Sequence, residues 1–183
     1  TSMDSVRAWA DVQGWDYAFM DDAFFALAPE WVRKRCADNI YAVTDICRLE
    51  WAKAKLAKGY ERVVWADADM LVFAPQELAL LPGQGHGFAR ELFLHVDERG
   101  RTTPMHGINN ALMVFEAGDA VLDAYLEECY AVLRALPPGP VPRTVLGPAL
   151  LVKFAGKLPL RAIERIGLFS HAVMEGIAAG GGP

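Results

Sequence analysis

The segment ERVVWADADMLVF, residues 61–73, carries a largely apolar run directly into two aspartates, Asp67 and Asp69. Burying an unpaired carboxylate is costly or forces it to take up a proton, so this segment constrains the fold more than any other. We predict a strand over residues 61–66 that is covered on both faces. Side chains two residues apart in an extended chain point to the same side, so we expect Asp67 and Asp69 to face one point.

Two carboxylates that face one point repel each other unless a cation lies between them or one of them is protonated. Mg²⁺ and Mn²⁺ prefer oxygen ligands, and they usually take only one or two protein carboxylates while substrate phosphates complete the coordination shell. The pattern therefore predicts a divalent-metal site with Mn²⁺ or Mg²⁺ as the cofactor. The alternative interpretation is a solvated turn that happens to carry two acidic residues.

A second group of polar residues, Asp45 and Arg48, lies in the segment VTDICRLEWAKAKLAKGY, residues 43–60. Residues three apart share one face of a helix, and an ordinary surface ion pair there contributes little to stability. This predicted helix leads directly into the strand before Asp67, however. If the two elements pack side by side, Asp45 and Arg48 lie in the same crevice, where an arginine can bind a phosphate or a sugar hydroxyl.

Predicted strands at residues 61–66, 86–96 and 108–118 alternate with helical segments at residues 29–58 and 119–135. This alternation favours an α/β layered fold, in which ligands bind beyond the carboxyl ends of the strands. The length of 183 residues suits one domain with a core of its own, so we expect a single domain over residues 1–183.

Shorter patterns predict a strand at Tyr17–Met20, a helix over residues 144–156 and a strand over residues 158–163. Thr44 or Asp45 is a candidate point of interruption of the long helical segment.

Charge and composition exclude several kinds of partner. The net charge of −5 argues against a nucleic-acid or anionic-membrane surface. We find neither an apolar run of about 18 residues, as a membrane span needs, nor a secretory signal. We therefore expect a cytoplasmic protein without a transmembrane segment. Cys36, Cys47 and Cys129 form no Cys-x-x-Cys pair, which argues against zinc clusters and disulfide scaffolds.

Four segments follow one another in the order TDICR, YERVVWADADMLVF, INNALMVFEAG and LGPALL. In this order they resemble the DXD-type glycosyltransferases of the GT-A fold, most nearly the retaining group that holds certain mannosyltransferases and the glucosylating clostridial toxins. The resemblance spans residues 44–148. It implies a Rossmann-like mixed sheet flanked by helices, and a sugar moved from a nucleotide-sugar donor to a saccharide or other hydroxyl acceptor with retention of configuration.

The resemblance also implies roles for particular residues. Asp69 would be the direct metal ligand, and Asp67 would hold the ribose and sugar side of the donor and assist the metal. Asp45 and Arg48 would contact the donor sugar. Asn109 or Asn110 would line the acceptor side of the donor sugar, and alignment of INNALMVF on a related family's FNAGVMVF favours Asn109.

The chain departs from the family pattern at three points. KGYERVVW stands where the family usually has a Gly-Gly-x-Tyr pattern, and no first strand is found before residue 5. The C-terminal metal ligand of the family is not plain either. His171 in LFSHAVMEG is the candidate for that ligand, and its alternative is an ordinary surface histidine.

Two other functions are compatible with the sequence. A haloacid-dehalogenase-type phosphatase also carries an apolar strand into a DxD motif, but that motif usually lies near the start of the chain, and no later lysine with an acidic pair stands out here. A degenerate, non-catalytic module that binds a sugar nucleotide is the second alternative, favoured by the missing first strand.

Overall fold

The computed structural model describes residues 1–80, 82–167 and 171–180. Within them the helices and strands follow one another in this order: α1 Ser2–Gln13, a 3-10 helix Asp22–Leu27, α2 Glu30–Arg35, α3 Ile40–Ala57, β1 Arg62–Ala66, β2 His86–Val96, β3 Thr102–Glu116, α4 Val121–Ala135, α5 Pro148–Ala155, β4 Ala162–Ile163 and α6 His171–Ala178. None of the described helices is both long enough and apolar enough to cross a membrane.

The described strands form one sheet in the order β1-β3-β2-β4. β1 and β2 both run antiparallel to β3, whereas β2 and β4 are parallel, so the sheet is mixed. Helices flank this sheet, which confirms the predicted α/β class with a mixed sheet. Among the described strands β1 pairs only with β3 and so lies at the edge, and Val63 is its one buried residue. The predicted cover on both faces of β1 is confirmed, because Val63 and Trp65 pack in one apolar core and Val64 and Ala66 pack against another.

Alternation along the strands separates two apolar cores, one on each face of the sheet. On one face Val63, Met113 and Phe115 pack against α3, α4 and α5. On the other face Leu112 and Val114 pack with residues of α1 and of the segment after Asp69. Both cores keep the carboxyl end of β1 between layers of packed side chains.

Asn39 caps the start of the long helix α3, because its side chain accepts hydrogen bonds from the N–H groups of Tyr41 and Ala42. The helix continues without a break through Thr44 and Asp45, so the expected interruption there is absent. The helical segment is instead interrupted between Arg35, where α2 ends, and Ile40, where α3 begins. An asparagine cap satisfies free N–H groups in the first turn of a helix, which explains why α3 begins directly after Asn39.

Several predicted elements differ in extent. β3 begins at Thr102 and is longer than predicted, whereas α5 and β4 are shorter than predicted. Tyr17–Met20 forms no strand. A strand needs a neighbour that takes up its main-chain hydrogen bonds, and no described segment pairs with these residues.

The pairing of β2 with β3 contains one irregularity. Phe88 lies opposite Met113, but the next residue, Ala89, lies opposite Asn109, so residues 110–112 have no partner on β2. A bulge of this kind bends a strand and redirects its side chains. Asn109 stabilises the bulge, because its side-chain oxygen accepts a hydrogen bond from the N–H of Ala111 over 2.7 Å.

Candidate functional site

Arg48 connects two carboxylates that are distant in the sequence. Its Nη1 donates to Oδ1 of Asp45 over 3.1 Å, and its Nη2 donates to Oδ2 of Asp67 over 2.9 Å. All three side chains are largely buried, with exposed fractions of 13% for Arg48, 16% for Asp45 and 19% for Asp67. The expected packing of the helix beside the strand therefore occurs, and this is not an ordinary surface ion pair.

Asn110 completes the contacts of Asp45. Its side-chain nitrogen donates to Oδ1 of Asp45 over 2.7 Å, and the Asn110 side chain is buried. The bulge in β3 places it there, since Asn110 is the first residue without a partner on β2. Of the two candidate asparagines, the structure thus brings Asn110 to Asp45, while the side chain of Asn109 is used within the bulge.

Trp65 holds the second oxygen of Asp67. Its indole N–H donates to Oδ1 of Asp67 over 2.6 Å. The Trp65 ring stacks on Phe24 with ring centres 5.2 Å apart, meets Trp51 edge-on at 5.8 Å, and lies 5.8 Å from the guanidinium carbon of Arg48. Sequence reasoning did not identify Trp65 as a site residue. The available signal was its spacing, because residues i and i+2 of a strand face the same side.

Asp67 and Asp69 lie in a turn and not in an extended chain. The N–H of Met70 donates to the C=O of Asp67 over 3.0 Å, which closes a tight turn over residues 67–70. Asp69 is exposed, whereas Asp67 is largely buried. The rule that placed both side chains on one side holds only for extended backbone, so it does not apply here. Asp69 projects from the turn with its carboxylate open to solvent.

Gly147 approaches the site from the start of α5. Its backbone has φ 64° and ψ −141°, a conformation that is almost restricted to glycine. A methyl group added at its Cα would lie 3.2 Å from Oδ2 of Asp45 and 3.6 Å from the side-chain nitrogen of Asn110. The absence of a side chain at Gly147 therefore lets α5 begin directly against the Asp45 carboxylate.

The site holds an excess of negative charge. Burial raises the pKa of Asp67 to about 6, although the Arg48 guanidinium and the Trp65 hydrogen bond oppose this, and the charges of Asp69 and Asp45 raise it further. Burial also raises the pKa of Asp45, against Arg48 and the Asn110 hydrogen bond. Two buried carboxylates share one guanidinium, so an additional cation would be stabilised beside them.

The structure does not assemble the three metal ligands named from the sequence. His171 is 89% exposed on α6, where it pairs with Glu175 over 3.1 Å. Over residues 1–80, 82–167 and 171–180 no three His, Cys, Asp or Glu side chains come together as a possible metal-ligand group. The set Asp67, Asp69 and His171 is therefore not formed among the described residues.

Comparison of the chain with protein-family models, curated proteins and solved structures finds no match. The resemblance to glycosyltransferases thus rests on the order of the four sequence segments.

The bridging role of Arg48 can be tested with Arg48→Lys. A lysine keeps the charge but has a single ammonium group in place of a planar fork, so one buried carboxylate loses its cationic partner. We expect the free energy of unfolding to fall by about 2 kcal/mol, measured by urea denaturation. The control is Arg90→Lys in the exposed pair with Glu164, which should change it by less than about 0.5 kcal/mol. Equal effects of the two variants would contradict the bridging role.

Gly147→Ala tests the close approach of α5. The backbone conformation of Gly147 is unfavourable for alanine, and the added methyl group crowds the Asp45 carboxylate. We therefore expect a loss of about 3 kcal/mol in unfolding free energy. Gly100 also has a positive φ, 72°, but an added methyl group there meets nothing within 4 Å. Gly100→Ala should therefore cost only about 1 kcal/mol. Similar losses at both positions would show that the contact with Asp45 is unimportant.

The raised pKa of Asp67 predicts a pH dependence with a definite sign. The folded protein binds this proton more tightly than the unfolded chain, so stability is lost as the pH rises from about 4 to about 6 and remains lost above that. Asp67→Asn cannot titrate. The unfolding free energy of the variant minus that of the parent should therefore increase by about 3 kcal/mol across this window. Urea denaturation at a series of pH values measures this difference, and a flat or falling difference would contradict the prediction.

Proposed function

We propose that this chain is a glycosyltransferase that moves a sugar from a nucleotide-sugar donor to a hydroxyl acceptor, depends on Mn²⁺ or Mg²⁺, and retains the anomeric configuration. The observation that carries the proposal is the buried group in which Arg48 joins Asp45 to Asp67 and Asn110 supports Asp45. A group of this kind beside an exposed Asp69 supplies most of the residues that the glycosyltransferase resemblance requires, drawn from three separate segments of the chain, while the C-terminal metal ligand is not among them.

The two aspartates differ in whether their carboxylate oxygens already accept hydrogen bonds within the protein. Each oxygen of Asp67 already accepts a hydrogen bond, from Trp65 or from Arg48. Asp69 is exposed and free to bind, so we assign the direct metal contact to Asp69 and a supporting position to Asp67. One or two protein carboxylates are what Mg²⁺ and Mn²⁺ usually take when a substrate diphosphate supplies the other ligands. The donor set of the turn therefore fits such an ion.

The reaction releases a nucleoside diphosphate, on which negative charge develops as the glycosidic bond breaks. A divalent cation bound at Asp69 would act as a Lewis acid that stabilises this charge and orients the diphosphate. In the proposal, Arg48 keeps Asp45 and Asp67 ionised and aligned toward the donor sugar. Asn110 fixes the orientation of Asp45, and Trp65 fixes that of Asp67. We assign no covalent nucleophile, so retention requires the acceptor oxygen to bond to the anomeric carbon on the face from which the diphosphate leaves. The bond from that carbon to the diphosphate oxygen breaks, and the hydroxyl proton passes to the departing diphosphate.

The proposal predicts a joint effect of metal and nucleotide on thermal stability. At a hundred times the dissociation constant a ligand that binds only the folded state adds about 2.7 kcal/mol. Each kcal/mol moves the melting temperature of a domain of this size by about 2–4 °C, so Mn²⁺ with UDP, GDP or ADP should raise it by about 5–10 °C. Mn²⁺ alone or the nucleotide alone should give less, because each completes the coordination of the other.

Asp69→Asn should abolish this joint shift, since it removes the charge and keeps the shape. The matched control is Glu98→Gln, which removes an exposed carboxylate from the tip of the turn between β2 and β3 and should leave the joint shift unchanged. If the parent protein melts at the same temperature with and without Mn²⁺ and the three nucleotides, the proposed site is wrong.

Turnover separates the proposed function from its alternatives. Release of nucleoside diphosphate from a panel of nucleotide sugars, lost in Asp69→Asn, supports the transferase. Binding of metal and nucleotide without turnover over that panel supports a non-catalytic module instead. Hydrolysis of a simple phosphate ester in the absence of a nucleotide sugar supports a phosphatase.

A further inference from the structure

A groove of about 440 Å³ follows the free edge of β1. β1, from Arg62 to Ala66, forms one side of this groove, and residues 14–20 line it from an irregular part of the chain. Aromatic and apolar side chains of α1 and α3, among them Trp9 and Trp51, contribute to the lining. One end reaches Asp67 and Ala68. We call this space the edge groove.

The main chain of β1 presents unused hydrogen-bonding groups to the edge groove. The N–H of Asp67 donates to the C=O of Ala111 on β3 over 2.8 Å, so odd-numbered residues of β1 bond to β3. In an antiparallel pair the residues between them turn their main-chain groups away from the partner strand. Arg62, Val64 and Ala66 therefore direct their N–H and C=O groups outward, and no hydrogen bond among the described residues uses these groups.

Residues 15–20, which also line the edge groove, are nearly without main-chain partners among the described residues. Apart from the N–H of Trp15, which donates to the C=O of Ala10, residues 15–20 take part in no main-chain hydrogen bond among the described residues. Half-buried Trp15 and Tyr17 alternate with exposed Asp16 and Ala18, as in a strand with one covered face. The sequence predicts a strand at Tyr17–Met20, and what this segment lacks is a neighbour with which to pair.

We propose that the edge groove binds one extended polypeptide segment, which adds a strand beside β1. Its main chain would pair with the outward groups of Arg62, Val64 and Ala66 on one side and face residues 15–20 on the other. Strand addition to a free sheet edge is a common mode of peptide recognition, in which main-chain hydrogen bonds supply much of the affinity. The inference rests on the edge groove alone and does not require the proposed transferase activity.

An extended segment fits the groove better than a planar small molecule does. A planar ligand would cover the apolar side chains, but it would leave main-chain donors and acceptors at alternate residues of β1 buried without partners. A strand satisfies both requirements. β1 has five residues and spans about 17 Å, and its groove of about 440 Å³ is already narrowed by several aromatic rings. We therefore infer small or β-branched side chains on the bound segment.

The test uses a synthetic peptide of about seven residues, with alternating valine and threonine between terminal lysines, so that it spans β1 with a residue to spare at each end. Amide hydrogen exchange of the whole chain is followed by NMR with about 1 mM peptide. We expect exchange at Val64 and Ala66 to slow by roughly tenfold or more as their N–H groups enter a ladder. Val63 and Trp65, which already bond to β3, should change little.

Val64→Pro removes one outward N–H and leaves the ladder with β3 intact, since proline is tolerated at an edge position whose N–H faces away from the sheet. It should weaken peptide binding by roughly tenfold, measured by tryptophan fluorescence. Val64→Thr is the matched control, because it keeps the N–H and the branched side chain. Continued protection of the Val63 and Trp65 amides verifies that Val64→Pro is folded.

A peptide N-methylated at every second amide tests the same idea without changing the protein. Its loss of main-chain donors should lower its affinity by roughly tenfold relative to the parent peptide. The proposal is overturned if the peptide leaves exchange at Val64 and Ala66 unchanged, or if N-methylation does not weaken binding. It is also overturned if these two amides are already protected in the protein alone and sedimentation shows a dimer that Val64→Pro dissociates, because a second copy then occupies the edge.

Discussion

The placement of one guanidinium between two buried carboxylates is the constraint on which the rest of this structure depends. Arg48 can reach Asp45 and Asp67 together only if α3 packs beside β1 with Arg48 near the carboxyl end of the strand. Breaking a buried ion pair leaves an uncompensated charge in a poorly solvated place, which is among the larger penalties known for a single change. The packing around Arg48 therefore has to keep both buried carboxylates within hydrogen-bonding distance of its guanidinium.

The irregular features of the chain converge on Asp45. The bulge in β3 directs Asn110 toward it, and Gly147 lets α5 begin against it. Bulges and glycine-only backbone conformations weaken regular structure, and they persist where other contacts hold them. Regular elements carry the core of this molecule, and the departures from regularity shape its site.

The sequence predicts those parts of this arrangement that depend on residues close together in the chain. The strand before Asp67 and the helix that carries Asp45 and Arg48 were predicted because hydrophobic period and spacing are local properties. The turn at residues 67–70 was given only as the alternative, because the preferred prediction extended the strand rule past the point where the strand ends. The edge position of β1 was not predicted, because its apolar side chains are covered on both faces and so give no sign that one row of main-chain groups lacks a neighbouring strand. The bulge had a local signal that went unused, namely two asparagines inside an apolar strand, where asparagine is uncommon.

The network around Arg48 also governs when during folding the site comes into being. Its contacts join residues that are 19 positions apart, for Arg48 and Asp67, and 65 positions apart, for Asp45 and Asn110. Bringing together residues that are far apart in the sequence costs chain entropy before the contact between them stabilises the fold. Contacts of this kind form late and slow folding. Partly folded forms of this chain that already hold α3 or α4 would have no assembled site. The network is therefore assembled only when β3 has paired with β1, because Asn110 lies on β3 and Asp67 directly follows β1.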